Sequence, residues 1–288
     1  MAKIMEVGSR GKLHAEFNSV GEVFRAIDKL GWEPQRDRSS DTRGGGGGSF
    51  HTFNSLAEAT QVFRYEPEKI RNYIMNDVKL VTPGSPGKEI EYDVTGDFID
   101  MDRYMEGVPE VFGNVTMGNP RNVFCTINIL GSFVHWTEPS YILARLSRVI
   151  RLVDWLEEQG VRCQIVVSDD SEVSFISTTV KRFAEPLDLN ELCVVNHPDW
   201  LRRIEFLIME QSKTWTWGYG SGLDYDNNMQ KYEPRPEDGM YVYVGGYIPE
   251  TIDNLNAQFD RIEKDIAEML ASGLTFNDRK LNVKGKRW

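Results

Sequence analysis

Apolar positions recur along this chain with two periods, and the change from one to the other marks out its elements. The run "NVFCTINIL", ending at Leu130, is nearly continuous and predicts a buried strand. In "PSYILARLSRVIRLVDWLEEQG", Ile142, Leu143, Leu146, Val149, Ile150, Val153 and Leu156 fall on one helical face. Thr137 is placed to cap that helix, Pro139 suits its first turn, and Gly160 suits its end. "VRCQIVVS" predicts the next strand, so strand, helix and strand predict a parallel pair with a right-handed crossover. "EVSFISTTVKRF" alternates, and only "DDS" separates it from the strand before, which predicts an antiparallel partner.

After Pro186, "DLNE" is a capping box opening a helix that Pro198 divides, with "DWLRRIEFLIMEQ" as its second piece. "MYVYVGGYI" reads as a strand. "PETIDNLNAQFDRIEKDIAEMLASG" reads as a closing helix, with Ile252, Leu255, Phe259, Ile262, Ile266 and Met269 as its stripe and Gly273 as its stop.

The chain before these elements is patterned differently. "EFNSVGEVFRAI" and "TFNSLAEATQVF" both read F-N-S-x-x-E and then turn helical, with Ser19/Glu22 and Ser55/Glu58 as capping boxes. Between them, "RDRSSDTRGGGGGSF" supplies no side chain to bury, and it lacks the Lys-Ser/Thr ending and preceding strand of a phosphate loop. It reads as a linker at 43–49. "VTPGSPGKEIEYDVTGDFIDMDRYMEGVPEVFG" is rich in turn residues, with "EIEYDV" and "DFIDM" as short strands. Its Asp93, Asp97, Asp100 and Asp102 do not fall in the register of a calcium loop and read as a solvated acidic face. The organisation expected is a helical or irregular N-terminal region (1–75), an acidic turn-rich segment (76–121), an α/β domain (122–273) and a basic tail (274–288).

Composition narrows the function classes. The 288 residues carry a net charge of -11, which disfavours indiscriminate nucleic-acid binding. Acids concentrate between Lys88 and Glu110, while Arg279, Lys280, Lys284, Lys286 and Arg287 make the tail basic. That tail is the one place where nucleic acid could bind, and it is expected to lack regular structure and to lie on an acidic surface. No apolar run is long enough for a membrane span, and the first residues lack the apolar middle of a secretory signal. Cys125, Cys163 and Cys193 lie in apolar runs without metal-ligand spacing, so buried thiols in a cytoplasm (here a host cell's) are expected, with virion association left open.

From residue 122 the order of elements resembles the von Willebrand factor A domain, a doubly wound, mostly parallel sheet flanked by helices. The resemblance implies a metal site in "NILGS", where that family has Asp-x-Ser-x-Ser. Here Asn128 stands for the aspartate, Leu130 for the first serine, and only Ser132 fits. A hard cation needs anionic oxygens, so no metal and no cofactor are expected, and Gly131 and Ser132 read as a turn. A second resemblance lies in Gly96, Asp100, Tyr104, Gly107 and Pro109, in Pro186 to Leu189, and in His197, Pro198, Arg202, Arg203 and Phe206. These motifs, between about Phe53 and Tyr225, resemble an uncharacterised family encoded by bacteriophages and related mobile elements, and imply that origin without an activity.

Candidate chemistry is sparse. His197 could act as an acid or base if a carboxylate oriented it, or simply cap the helix break. Asp169 and Asp170 could pair a cation or form a polar turn. Arg202 and Arg203 could grip a phosphate or carboxylate, although adjacent helical positions point about 100° apart. Trp215, Trp217 and Tyr219, in "KTWTWGYGSGLDYD", suit a protein interface or packing over a sheet edge. No catalytic residue is assigned. The function expected is a non-enzymatic phage accessory protein that binds another protein or itself. The alternative is a metal-dependent nuclease or phosphoesterase using Asp169, Asp170 or His197.

Overall fold

The computed structural model describes residues 3–7, 12–32, 53, 55–75, 89–93, 98–99, 101–116, 123–131, 133, 137–171, 174–211, 240–245, 251–272 and 280–283. Its strands are β1 (Lys3–Val7), β2 (Lys12–Phe17), β3 (Glu89–Asp93), β4 (Phe98–Ile99), β5 (Phe112–Thr116), β6 (Val123–Leu130), β7 (Val161–Asp170), β8 (Ser174–Lys181), β9 (Met240–Val244) and β10 (Lys280–Val283). Its helices are α1 (Val20–Leu30), α2 (Leu56–Tyr65), α3 (Pro67–Met75), α4 (Met101–Met105), α5 (Pro139–Glu158), α6 (Leu189–Val195), α7 (a π-helical Trp200–Glu205 running into Phe206–Met209) and α8 (Ile252–Ser272). The large sheet has the order β1-β2-β8-β7-β6-β9-β10, and a small antiparallel one has the order β3-β5-β4.

The strands expected after residue 122 form, and the large sheet is mostly parallel. β7 with β6, β6 with β9, β9 with β10 and β2 with β8 run parallel. β8 returns antiparallel to β7 as expected, and β1 antiparallel to β2. β6 and β9 each have a strand on both sides, and their sequences are apolar runs rather than alternations. The hairpin turn differs from expectation. Asp169 and Asp170 belong to β7, opposite Ile176 and Phe175, and the chain reverses over Ser171–Ser174. There Ser171 N–H donates to Ser174 O at 2.8 Å, and Ser174 N–H donates to Ser171 Oγ at 3.1 Å.

Three further expectations are corrected. The N-terminal region is not only helical or irregular, because β1 and β2 extend the large sheet beyond β8. In β2, Leu13, Ala15 and Phe17 are buried while His14 and Glu16 are half-exposed, a period of two over five residues. The basic tail is not uniformly irregular, because Lys280–Val283 pairs with the free side of β9. Glu138 rather than Thr137 stands at the α5 N-cap, and its side chain makes no capping bond. The glycine-rich linker at 43–49, Ser132, and the loop with Trp215, Trp217 and Tyr219 lie outside the described residues.

Both F-N-S helices start as their capping boxes predict. Ser19 Oγ accepts from Glu22 N–H at 3.2 Å, and Ser55 Oγ accepts from Glu58 N–H at 3.1 Å. Glu22 reaches back to the Asn18 N–H at 2.8 Å. Arg64 on α2 then grips Asp28 on α1 with two bonds of 2.8 and 2.7 Å. Phe24, Phe63 and Trp200 meet edge to face, with centroids 5.7 and 5.8 Å from the indole. Each buried ring of this kind contributes about 1.5–3 kcal/mol by leaving water. One hydrophobic core therefore runs from Leu13 in β2 to Leu270 in α8.

Candidate functional site

Ligand sites on parallel sheets form where strands end and loops diverge. Here β6 ends at Leu130, and Gly131 N–H donates to Ser168 O of β7 at 3.1 Å. Asn128 is buried, and its Oδ1 accepts from Ser168 Oγ at 2.7 Å, so its oxygen faces the neighbouring strand. Gly131 serves close approach rather than an unusual turn, and its φ is not positive. A Cβ there would lie 2.3 Å from Asp169 Oδ2 and 3.0 Å from Val167 Cγ1. That is how the Asp169 carboxylate fits against the end of β6.

Asp169 and Glu205 form a buried pair of carboxyls. Trp200 Nε1–H donates to Glu205 Oε1 at 3.1 Å, across the π-helical turn. Burial, then the charge and hydrogen bonding of Asp169, push the Glu205 carboxyl well above its ordinary range, against the pull of Trp200. Two adjacent carboxylates out of water each disfavour the other's charge, so the Glu205 carboxyl holds its proton to higher pH than a free one. Arg145 from α5 supplies the opposing charge. Its Nη2–H donates to Asn196 Oδ1 at 3.3 Å, and its guanidinium lies 4.1 Å from the Phe133 ring centroid. Burial lowers Arg145 to about 10, while Tyr141, Tyr243 and Asp169 oppose that shift. It remains a cation at neutral pH and faces the carboxyl pair with the opposite charge. The arrangement ties α5, the end of β7 and the π-helical turn together.

His197 belongs to a second enclosed group. Its Nδ1 accepts from the Asp199 N–H at 3.1 Å, and the rings of Phe53 and Phe63 lie 5.6 and 5.7 Å away. Asp199 Oδ2 accepts from the Phe53 N–H at 3.2 Å, and Arg203 Nη2–H donates to Phe53 O at 3.2 Å. Arg203 Nε stands 4.0 Å from Asp199 Oδ1. The H-P-x-x-x-R-R motif thus clasps the backbone just ahead of the second F-N-S helix. Arg202 is half-buried where Arg203 is buried, as adjacent helical positions require. Asp170 pairs through its backbone with Phe175.

Sequence reading brought out Asn128, Asp169, His197 and Arg203 but missed Arg145, Asn196, Trp200 and Glu205. Arg145 had a visible signal, a charged residue between Ile142 and Leu146 on an apolar stripe. Glu205 had none, because a π-helical turn rotates its residues away from the faces that a 3.6-residue period assigns. The cysteines are buried thiols as expected, with Cys125 opposite Cys163 across β6 and β7, and burial pushes Cys193 up to about 12.

The surface offers a different chemistry. Around α4, Ile99, Met101, Tyr104 and Met105 are 49%, 60%, 60% and 79% exposed. The helix is closed by Gly107, whose φ of 74° suits a residue without Cβ, and by Val108 N–H donating to Arg103 O at 3.1 Å. Arg103 Nε–H donates onward to Glu110 O at 3.0 Å, which fixes the return to β5. Glu106 and Glu110 flank the apolar residues and are exposed. Among the described residues no three His, Cys, Asp or Glu converge as metal ligands, and no helix is long and apolar enough to cross a membrane.

Residues 5–271 match a family described as a domain of unknown function (DUF7192). The match takes in residues 5–50, which the motif resemblance leaves out. No curated protein and no solved structure matches the chain.

Proposed function

The chain belongs to this family of unknown function, and from that premise we propose that it is a non-enzymatic accessory protein of a bacteriophage or related mobile element that works by binding protein through the α4 surface. The observation that carries the reading is the set of exposed side chains Ile99, Met101, Tyr104 and Met105, held on a closed turn and flanked by acids. Methionine and tyrosine adapt well to partner surfaces, and an apolar centre with a charged rim is the anatomy of a protein interface. The groups able to do chemistry at the strand ends are engaged with one another instead: Asn128 with Ser168, Glu205 with Trp200 and Asp169, Arg145 with Asn196. The strand order β8-β7-β6-β9-β10, with β8 antiparallel, supports a von Willebrand factor A-like arrangement of the scaffold.

The test compares affinity capture with the wild-type chain and with the double variant Tyr104→Glu/Met105→Glu. A partner held by the wild type and lost by the variant supports the reading. Hydrolysis of nucleotides or nucleic acid by the purified chain with Mg²⁺ or Mn²⁺, surviving the double variant and lost in Asp169→Asn, overturns it in favour of a nuclease or phosphoesterase.

A further inference from the structure

We propose that the α4 surface is occupied by the basic segment Lys284–Trp288 of a second copy of this chain. The inference rests on the reading of α4 as a docking face and names what docks there. Between Lys88 and Glu110 there are eight acids (89, 91, 93, 97, 100, 102, 106 and 110) against Lys88 and Arg103, a balance of -6. The segment "KGKRW" holds Lys284, Lys286 and Arg287 with no acid, beside an aromatic side chain. Its two chemistries, cationic and aromatic, match the acidic rim and the exposed Met and Tyr of α4. Arginine and tryptophan are also the residue types that most often anchor an interface, and both suit methionine- and tyrosine-rich surfaces.

The donor segment directly follows β10, which pairs with β9 and is the outermost strand of the large sheet among the described residues. The acceptor face belongs to the small sheet, which shares no strand pairing with the large one among the described residues. Each copy presents one face and one segment, and reciprocal exchange closes a two-fold dimer in which both interfaces are the same. Two copies of charge -11 repel at long range, but salt confines that repulsion to about 8 Å, while the matched charges meet at contact.

The experiment uses three forms of the full chain: wild type, a form lacking 284–288, and Tyr104→Glu/Met105→Glu. The deletion stops after Val283 so that β10 is kept, and unchanged thermal melting shows that both altered forms fold. Sedimentation equilibrium should show a concentration-dependent dimer for the wild type and monomers for each altered form. Mixing the two altered forms should restore a heterodimer, because one supplies the face and the other the segment. A labelled peptide of residues 283–288 should bind the deleted form by fluorescence anisotropy, about tenfold more weakly at about 500 mM than at about 50 mM NaCl.

A wild type that stays monomeric overturns the inference even if the peptide binds, since the segment then docks on its own copy. A dimer that persists in either altered form overturns it too. A captured partner lost in the face variant, together with no peptide binding, overturns the second copy as occupant while leaving α4 as a docking face. A partner unaffected by the face variant removes the docking face itself.

Discussion

The buried carboxyl pair makes a prediction whose size follows from its surroundings. Glu205 is almost fully enclosed, accepts from Trp200 Nε1–H at 3.1 Å and is pushed above its ordinary value of 4.5 by burial and then by Asp169. In the unfolded chain that carboxyl ionises near its ordinary value, whereas in the folded chain it keeps its proton to higher pH. Between the two values the folded state binds more protons than the unfolded state, so stability falls as pH rises. One proton gives a slope of up to about 1.4 kcal/mol per pH unit over that window. Glu205→Gln keeps the acceptor for Trp200 and can donate an N–H to Asp169, but it cannot ionise. Urea unfolding of both proteins at several values between pH 5 and pH 8 measures the difference. The wild type should lose stability with rising pH relative to Glu205→Gln, so that the variant gains on it step by step. Stability differences that stay constant across the range would refute the raised Glu205 carboxyl, and a variant weakest at high pH would reverse its sign.

Other consequences test the neighbouring contacts. Gly131→Ala would set a Cβ 2.3 Å from Asp169 Oδ2, so it should destabilise by about 1–3 kcal/mol in urea unfolding, with part of the loss recovered in Gly131→Ala/Asp169→Ala. Asp199→Ala should cost about 3–5 kcal/mol, because it strips the buried Arg203 of its nearby carboxylate and the Phe53 N–H of its acceptor; thermal melting reads this as a fall of about 2–4 °C per kcal/mol. Millimolar Mg²⁺ or Mn²⁺ should leave the melting temperature within about 1 °C, since a ligand stabilises only as its concentration exceeds its dissociation constant and Asn128 Oδ1 is already bonded to Ser168. A rise of several degrees, abolished in Asn128→Ala, would show a working cation site.

The strand–helix–strand unit at 123–170, the antiparallel return of β8, the divided helix before Met209 and the long α8 were all legible in the sequence. In each, many consecutive residues repeat one local preference: an apolar run, a 3.6-residue stripe, a capping serine or aspartate, a proline. Local energetics suffice for such elements because neighbours in the chain decide them. The capping boxes at Ser19 and Ser55 belong to the same class, and so do the buried cysteines.

What lay beyond that reach was decided by distant partners. "KLHAEF" alternates for only six residues, too few to mark a strand until the free side of β8 accepts it. "KLNV" has no pattern of its own and becomes β10 because β9 has a free side. The site shows the same division. Asn128, Asp169, His197 and Arg203 were visible as residue types, but their contacts were not. Glu205 reaches Asp169 only because a π-helical turn changes which side of α7 faces the sheet, and Arg145 reaches Asn196 only because the fold brings α5 to the residue that follows α6. Periodicity along one segment records which residues are buried. The identity of the group each one meets depends on how separate segments pack, where a fraction of a turn in one helix replaces one neighbour by another.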